Sequence, residues 1–183
     1  DQAVKTPSLK SWVLESIFKD GMEDTDFTLV CNDGVEVPVH KVVMKGTSEF
    51  FKAMIKPGHA EGQEGVSNID CGSEVGHGLV SFVYTGVVDA STLDKNLVEF
   101  LKVADQYDMV HLKEKVEERM LSKLNVSNMM EYVIAGNSYN AKRLKTMSQT
   151  LLRANLGELR KDNDWKKAFA SQKDLLIEIL DIE

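Results

Sequence analysis

Cysteine is scarce in this sequence, and its scarcity limits the available chemistry. Only Cys31 and Cys71 occur among the 183 residues. Two cysteines so far apart make neither a disulfide framework nor a C-x-x-C metal-binding pair. Because free cysteine is among the residue types most often buried, both thiols are predicted to be unpaired and buried or partly buried.

Long apolar runs and concentrated basic charge are also missing. No apolar stretch approaches the roughly 20 residues that span a bilayer, and the first residues lack a signal-peptide pattern. The net charge is -7 and Lys and Arg are scattered, unlike the clustered basic residues of nucleic-acid binders. We therefore expect an intracellular protein with protein partners, binding neither nucleic acid nor membrane. Because it opens on Asp1, we expect the chain to be a piece of something longer.

Motifs for catalysis and metal binding are not found either. The four histidines, at 40, 59, 77 and 111, form no H-x-x-x-H or H-E-x-x-H pattern. No G-x-S-x-G sequence surrounds a serine, and no Gly-Lys-Ser/Thr follows the glycines at 58, 62 and 65. The sequence thus predicts no catalytic residue, no metal site, no cofactor and no enzyme activity.

The composition is otherwise that of an ordinary globular protein, with 43% apolar and 28% charged residues. It predicts a hydrophobic core. Residues 27–31 and 35–39 predict a hairpin around Asn32-Asp33-Gly34, since Asp-Gly accepts the positive φ angles of such turns. A third short strand is predicted over 66–69. The remaining signals are helical, so the sequence predicts a mixed α/β (α+β) fold.

Helical periodicity is clearest near the N-terminus. Thr6 and Pro7 are typical of a helix start, and Leu9, Val13 and Ile17 recur at four-residue steps. Further helices are predicted over 40–45, 48–55, from about 73 to Gly86, and from 97 to 124. Residues 56–65, with three glycines and a proline, predict a loop.

The C-terminal third predicts helices only. Residues 125–127 are typical of a helix start with Ser127 as the cap, and the apolar residues from 130 to 152 predict a packed helix pair. Residues 165–180 predict one further amphipathic helix.

Five sequence segments resemble BTB/POZ domains, in the family's order and at plausible spacing. They are residues 25–30 (TDFTLV), 39–44 (VHKVVM), 48–54 (SEFFKAM), 82–86 (FVYTG) and 101–107 (LKVADQY). Residues 125–156 resemble the three-box or BACK-type helices of the speckle-type POZ protein group, the MATH-BTB adaptors of cullin-3. The resemblance implies a BTB/POZ domain over residues 1–124, with short strands packed on a helical cluster, and an all-helical three-box/BACK-like extension over 125–183.

The resemblance also implies a homodimer. Carried over residue by residue, it places at the dimer interface Leu9, Trp12, Val13, Ile17 and Val43, with Asp26 and Lys41 as paired charges near the seam. An apolar stripe on a first helix suits packing on a second subunit. From the residues alone, the same stripe could instead pack on its own domain.

In that group the domain binds the N-terminal domain of cullin-3. The matching positions here are Phe51, Met54, Ile55, His59, Glu61, Tyr107, Asp108 and Met109. Apolar anchors with an acidic rim are typical of such an interface. The adaptors often have a hydrophobic residue two positions before the loop glutamate, where this chain has His59.

The implied function is that of a substrate adaptor in a cullin-3 ubiquitin ligase, located in the nucleus or the cytoplasm. The substrate would be captured by a separate domain, such as MATH, that is absent from this chain. The alternative is a BTB homodimer that recruits a transcriptional co-repressor, or that only oligomerises its host protein.

Overall fold

The computed structural model of the protein describes residues 9–159, together with Ala170 and Ile177. The predicted helix start at Thr6 and Pro7, and all but two positions of the helix predicted over 165–180, lie outside the described residues. In chain order the elements are α1 (Leu9–Lys19), β1 (Phe27–Val30), β2 (Glu36–Val39), α2 (Lys41–Lys45), α3 (Glu49–Met54), α4 (Ala60–Glu64), β3 (Val66–Asn68), α5 (Ser73–Thr85), α6 (Ala90–Lys95), α7 (Leu97–Gln106), α8 (Val110–Lys123), α9 (Met129–Ser138) and α10 (Lys142–Leu159). A small sheet among many helices confirms the predicted mixed α/β class.

The predicted hairpin and third strand are confirmed, and they form a sheet in the order β2-β1-β3. β1 runs antiparallel to β2, with Phe27 opposite Val39, and parallel to β3. Gly34 takes a φ of 78° in the hairpin turn, a conformation that costs glycine little. Alternate strand residues point to one face of a sheet, and those facing the core are Phe27, Leu29, Val37 and Val39.

Several of the helices that follow are capped by residues next to their ends. The Ser48 hydroxyl accepts the Phe51 N–H at 3.2 Å at the start of α3, and Gly86 ends α5 in the left-handed conformation. Helix α6 was not predicted, because its short polar sequence buries only Leu93. Its signal is the Asp89 carboxylate, which accepts the Thr92 N–H at 2.9 Å.

The loop predicted over 56–65 is wrong in its second half, where the chain forms α4. Gly65, with a φ of 74°, ends this helix. A Cβ on Gly62 would lie 2.6 Å from the carbonyl oxygen of Lys56, so only glycine allows the helix to lie this close to the preceding chain. The glycines that suggested a loop thus provide a helix end and a close backbone approach.

The chain divides into two compact units between Leu112 and Lys113. In the second unit, the predicted helix pair is confirmed, since α9 packs against α10. Its core is Met129, Val133 and Leu152. Met147, part of the predicted apolar pattern, is instead 53% exposed.

The start of α9 differs from the prediction by one residue, because Asn128 rather than Ser127 occupies the cap position. The Asn125 side-chain oxygen accepts the Ser127 N–H at 2.8 Å, and the Asn128 side-chain oxygen accepts the Asn125 N–H at 2.8 Å. Asparagine side chains readily form such local turns, and here they take Ser127 out of the capping role.

The crossing of α9 and α10 depends on Gly136. A Cβ at this position would lie 2.6 Å from the backbone nitrogen of Lys145 and 2.9 Å from its Cα. Backbone atoms cannot move aside as a flexible side chain can, so a larger residue must push the helices apart.

Gly136→Ala is expected to lower the free energy of unfolding by about 1 to 3 kcal/mol, as overpacked sites typically do, measured by urea titration. Gly157→Ala is the matched control, since among the described residues no atom outside the adjacent backbone of α10 lies within 4 Å of its added Cβ. Because alanine is better than glycine in a helix by about 0.5 to 1 kcal/mol, the control should be slightly stabilised. Equal stabilities of Gly136→Ala and the wild type would contradict the close approach.

Candidate interaction surfaces

An apolar cleft of about 600 Å³ opens on the first unit. It lies between α1, α2, α5 and the start of α8, and its lining residues are Leu14, Val42, Val43, Gly46, Thr47, Phe82, Val83, Met109, His111 and Leu112. Val42, on α2, is 76% exposed. Exposed apolar surface around an apolar cleft is a feature of protein interaction sites.

Helix α1 has both a packed and an exposed side. It packs against α5, and the rings of Phe18 and Tyr84 lie 5.8 Å apart. Ile17 is half-buried, whereas Val13 is 44% exposed. The apolar stripe is therefore partly buried at Ile17 and exposed at Val13. The side chains of Leu9 and Trp12 lie outside the described part.

The structure brings Asp26 and Lys41 together, but through the backbone of Lys41. The Asp26 carboxylate accepts the Lys41 N–H at 2.7 Å, while the Lys41 ammonium donates to the carbonyl of Gly62 in α4 at 3.0 Å. Val43, two residues further along α2, is half-buried at the cleft.

His40 fixes the start of α2 against α5. The Tyr84 hydroxyl accepts the His40 backbone N–H at 2.9 Å and lies 2.7 Å from Nδ1 of the imidazole. Nε2 lies 2.9 Å from the carbonyl oxygen of Glu23, which can only accept a hydrogen bond, so Nε2 carries a proton. Burial raises the pKa of Tyr84, so this hydroxyl stays protonated at neutral pH and can donate to Nδ1.

A second surface surrounds Phe50, whose side chain is 40% exposed. Its ring lies 5.2 Å from that of Tyr107 and 5.7 Å from that of Phe51, and Phe51 stacks on Tyr107 at 5.4 Å. The Tyr107 hydroxyl accepts the Asp70 N–H at 2.8 Å. Phe50 is thus the exposed edge of an aromatic cluster that the core holds in place.

Acidic charge dominates the first unit, which carries this surface. Residues 1–112 contain nine Lys and Arg against 18 Asp and Glu, a formal charge of -9, whereas residues 113–183 contain 13 against 11, a charge of +2. Near the aromatic cluster, Glu49 and Asp108 are exposed, and Asp108 takes a φ of 51° in the turn after α7. The unit therefore attracts basic partners at low ionic strength.

Comparison with known families identifies the fold that carries these surfaces. The model of the BTB/POZ domain family matches residues 14–124, more than half of the sequence. The chain belongs to the BTB/POZ family. BTB/POZ domains are generally non-enzymatic protein-interaction modules, often adaptors or oligomerisation modules, and they commonly self-associate.

Curated relatives agree with this assignment. The chain is 26% identical to BTB and MATH domain-containing protein 42 of Caenorhabditis elegans, over 79% of this chain and 36% of the relative. It is 24% identical to a BTB/POZ domain-containing protein of Arabidopsis thaliana, over 81% and 53%, and 26% identical to BTB/POZ domain-containing protein 9 of Drosophila melanogaster, over 79% and 20%. The chain thus spans between a fifth and about half of the length of these relatives.

Other site types have no counterpart in the part of the chain that the structure describes. No helix there is long and apolar enough to cross a membrane. Among the same residues, no group of three or more His, Cys, Asp or Glu side chains is placed to hold a metal ion.

The structure places the eight predicted cullin-binding residues at very different depths. Those buried in the domain's own core are Phe51, Ile55, Tyr107 and Met109. Met54 and Glu61 are half-buried, and His59 and Asp108 are exposed.

Among the residues whose side chains the structure describes, Phe50 is the exposed aromatic one, and it is not one of the predicted cullin-binding residues. Residues four apart share a helix face, so Phe51 falls on the face of Ile55, and Phe50 on that of Met54. The Ser48 cap fixes the residue at which α3 begins and so the face on which each ring lies. It could have identified Phe50 as the outward ring.

The two cysteines form a buried pair beneath the start of α5. Both are free, as predicted, and both sulfur atoms lie within 4 Å of the position that a Cβ on Gly76 would take. A Cβ on Gly76 would lie 2.5 Å from the Cys31 sulfur, so glycine makes room for the pair. Burial raises the pKa of Cys71 to about 12 and also raises the pKa of Cys31. Neither thiol is ionised at neutral pH, as a nucleophile or metal ligand would be.

The raised pKa of Cys71 predicts a loss of stability at alkaline pH. Above the ordinary value of 9.0 the unfolded thiol ionises, whereas the folded thiol keeps its proton up to about pH 12. The unfolded state then binds fewer protons, so stability falls with pH over this window, by about 1.4 kcal/mol per pH unit for one thiol.

Cys71→Ala should make the pH dependence of the unfolding free energy above pH 9 shallower than in the wild type, measured by denaturant titration. Val75→Ala removes apolar atoms from an equally buried site and should leave the slope unchanged. Identical slopes in Cys71→Ala and the wild type would show that the folded thiol ionises normally.

Proposed function

We propose that the protein is the substrate-adaptor part of a cullin-3 ubiquitin ligase. The observation that carries the proposal is the exposed ring of Phe50, fixed on Phe51 and Tyr107 in the region that resembles the cullin-binding part of the MATH-BTB adaptors. A relative whose name joins BTB and MATH domains supports the same group. The adaptor acts by proximity, and no residue of this chain takes part in bond chemistry.

The Phe50 surface has the properties of a binding anchor. An aromatic side chain already packed in its bound position loses little conformational freedom on association, and such residues often dominate interface energies. Asp108 supplies an exposed acidic charge beside the cluster, whereas the Glu49 carboxylate is paired with the Lys52 ammonium at 2.9 Å, and an acidic charge at the rim favours a basic partner surface and speeds its association. Met54 adds an apolar side chain to this surface and Glu61 a charged one, and both are half-buried.

The apolar cleft and α1 supply the self-association that the adaptor function uses. In a two-fold symmetric dimer the same patch occurs on both subunits, so the exposed Val13 and Val42 would each be buried twice. A dimer presents two cullin-binding surfaces and two substrate-binding arms, and the resulting effective concentration raises the overall avidity.

Phe50→Ala should weaken binding of the cullin-3 N-terminal domain by about 30-fold or more, because removal of a central anchor typically costs 2 kcal/mol or more. Isothermal titration calorimetry measures the affinity, and circular dichroism checks the fold. Val87→Ala is the control, because Val87 is 56% exposed and lies outside the predicted cullin-binding positions. An intact, dimeric wild-type chain that does not bind cullin-3 would favour the co-repressor or oligomerisation alternative.

Val42→Asp should convert the dimer into monomers, since two-fold symmetry buries two new carboxylates in the apolar seam. Because Val42 is 76% exposed, the substitution should leave the fold intact. Sedimentation velocity measures the mass, and Val35→Asp, at the 38% exposed hairpin turn, is the control. A Val42→Asp chain that stays dimeric would place the seam elsewhere.

A further inference from the structure

Lys41 joins two elements that are distant in the sequence. Its ammonium, at the start of α2, donates to the carbonyl oxygen of Gly62 in α4 at 3.0 Å. The same ammonium lies 5.9 Å from the centre of the Phe27 ring. The side chain is half-buried, so this charged hydrogen bond is only partly screened by water.

Helix α4 has little stability of its own. It has five residues, none of them buried, and the His59 side chain makes no capping hydrogen bond at its start. Helices this short do not persist without tertiary contacts, and Gly62 lowers the helix propensity further. Its form must therefore depend on contacts from outside the segment.

Three such contacts surround α4. Gly62 packs closely on the carbonyl of Lys56, the Gly65 carbonyl accepts the Thr28 N–H at 2.8 Å, and Lys41 holds the middle of the helix. The first two are made by backbone atoms, those of Lys56 in the preceding chain and of Thr28 in β1. Lys41 is the contact among these three that comes from a side chain, so a substitution can remove it alone.

We propose that Lys41 is a positioning residue that holds α4 in helical form before a partner arrives. This inference rests on the proposed function, because α4 carries Glu61 and begins after His59, both predicted cullin-binding positions. A segment ordered in advance does not lose conformational freedom on binding. Lys41 thereby raises the affinity for cullin-3 without touching it, a role different from the predicted one at the dimer seam.

Hydrogen exchange of the α4 amides tests the first half of the proposal without any partner. The reporters are the N–H groups of Gln63 and Gly65, which donate to the carbonyls of His59 and Glu61 at 3.2 and 2.9 Å. Lys41→Met keeps the apolar stem and removes the donor, and should speed exchange at both amides about tenfold or more, the size expected for a charged hydrogen bond. Lys41→Arg keeps a donor and should restore most of the protection.

Lys45→Met, one turn further along α2, is the matched control and should leave the exchange unchanged. Titration with the cullin-3 N-terminal domain should then show about tenfold weaker binding for Lys41→Met, with Lys41→Arg near the wild type. Unchanged α4 exchange in Lys41→Met overturns the proposal. Loss of the dimer in sedimentation with unchanged exchange also overturns it, and assigns Lys41 to the seam.

The two proposals fail separately. If the wild-type chain does not bind cullin-3, the proposed function is overturned, whereas the exchange rates still decide whether Lys41 holds α4. If the wild type binds and Lys41→Met exchanges faster without a loss of affinity, the ordering of α4 does not serve cullin-3 binding, and the positioning role is overturned.

Discussion

The hydroxyl of Tyr84 meets both the backbone N–H and the imidazole of His40, and the placement of α2 depends on this contact. Tyr84 is buried in α5, so the rigid core of the domain fixes the residue at which α2 begins. One step further along, Lys41 reaches α4, and the next two residues, Val42 and Val43, border the apolar cleft. The apolar cleft and the hydrogen bond to α4 thus share one origin in the core, although they serve different contacts.

The charge of the first unit affects these surfaces in opposite ways. With -9 on residues 1–112, two copies of the domain repel each other, and the repulsion weakens as salt screens it. In the proposed dimer, the attraction would therefore come from apolar burial at the cleft, beside which Val42 is exposed. The same charge favours a basic partner at the Phe50 surface. The two proposed interfaces therefore use different interactions. The dimer seam would use apolar burial, and the Phe50 surface would add electrostatic attraction.

Local signals explain what the sequence could predict of the fold. The Asp-Gly turn and the Gly86 helix end are each decided by a few adjacent residues, and both were predicted. Helix α4 was missed because distant contacts decide it, namely the close approach of Gly62 to Lys56 and the hydrogen bond from Lys41. Helix α6 was missed because its sequence is polar, and its capping residue Asp89 is a single weak signal.

The candidate site shows the same division between local and distant causes. The motif resemblance placed the predicted cullin-binding residues around α3, the chain that follows it and the end of α7, but it could not tell an outward side chain from an inward one. Residues 51, 55, 107 and 109 carry apolar side chains in the matching segments, and the domain's own core uses all four. The rings of Phe50 and Phe51 lie at similar distances from Tyr107, and their burial, 40% against 0% exposed, distinguishes them. Patterns of residue type locate a surface, while packing decides which atoms it presents.

The aromatic cluster is itself held by polar contacts that reach the hairpin. The Asp70 N–H donates to Tyr107, and the Asp70 carboxylate accepts hydrogen bonds from Lys102 at 2.7 Å and from the Asn32 side chain at 2.9 Å. The Lys102 hydrogen bond, followed by that of Asn32, lowers the pKa of Asp70, so this carboxylate stays ionised, and keeps both partners, well into the acidic range. Because Asn32 lies in the turn between β1 and β2, the position of the exposed Phe50 ring is linked to the sheet through Tyr107, Asp70 and Asn32. A partner that binds Phe50 therefore meets a ring whose orientation is set by the whole domain rather than by α3 alone.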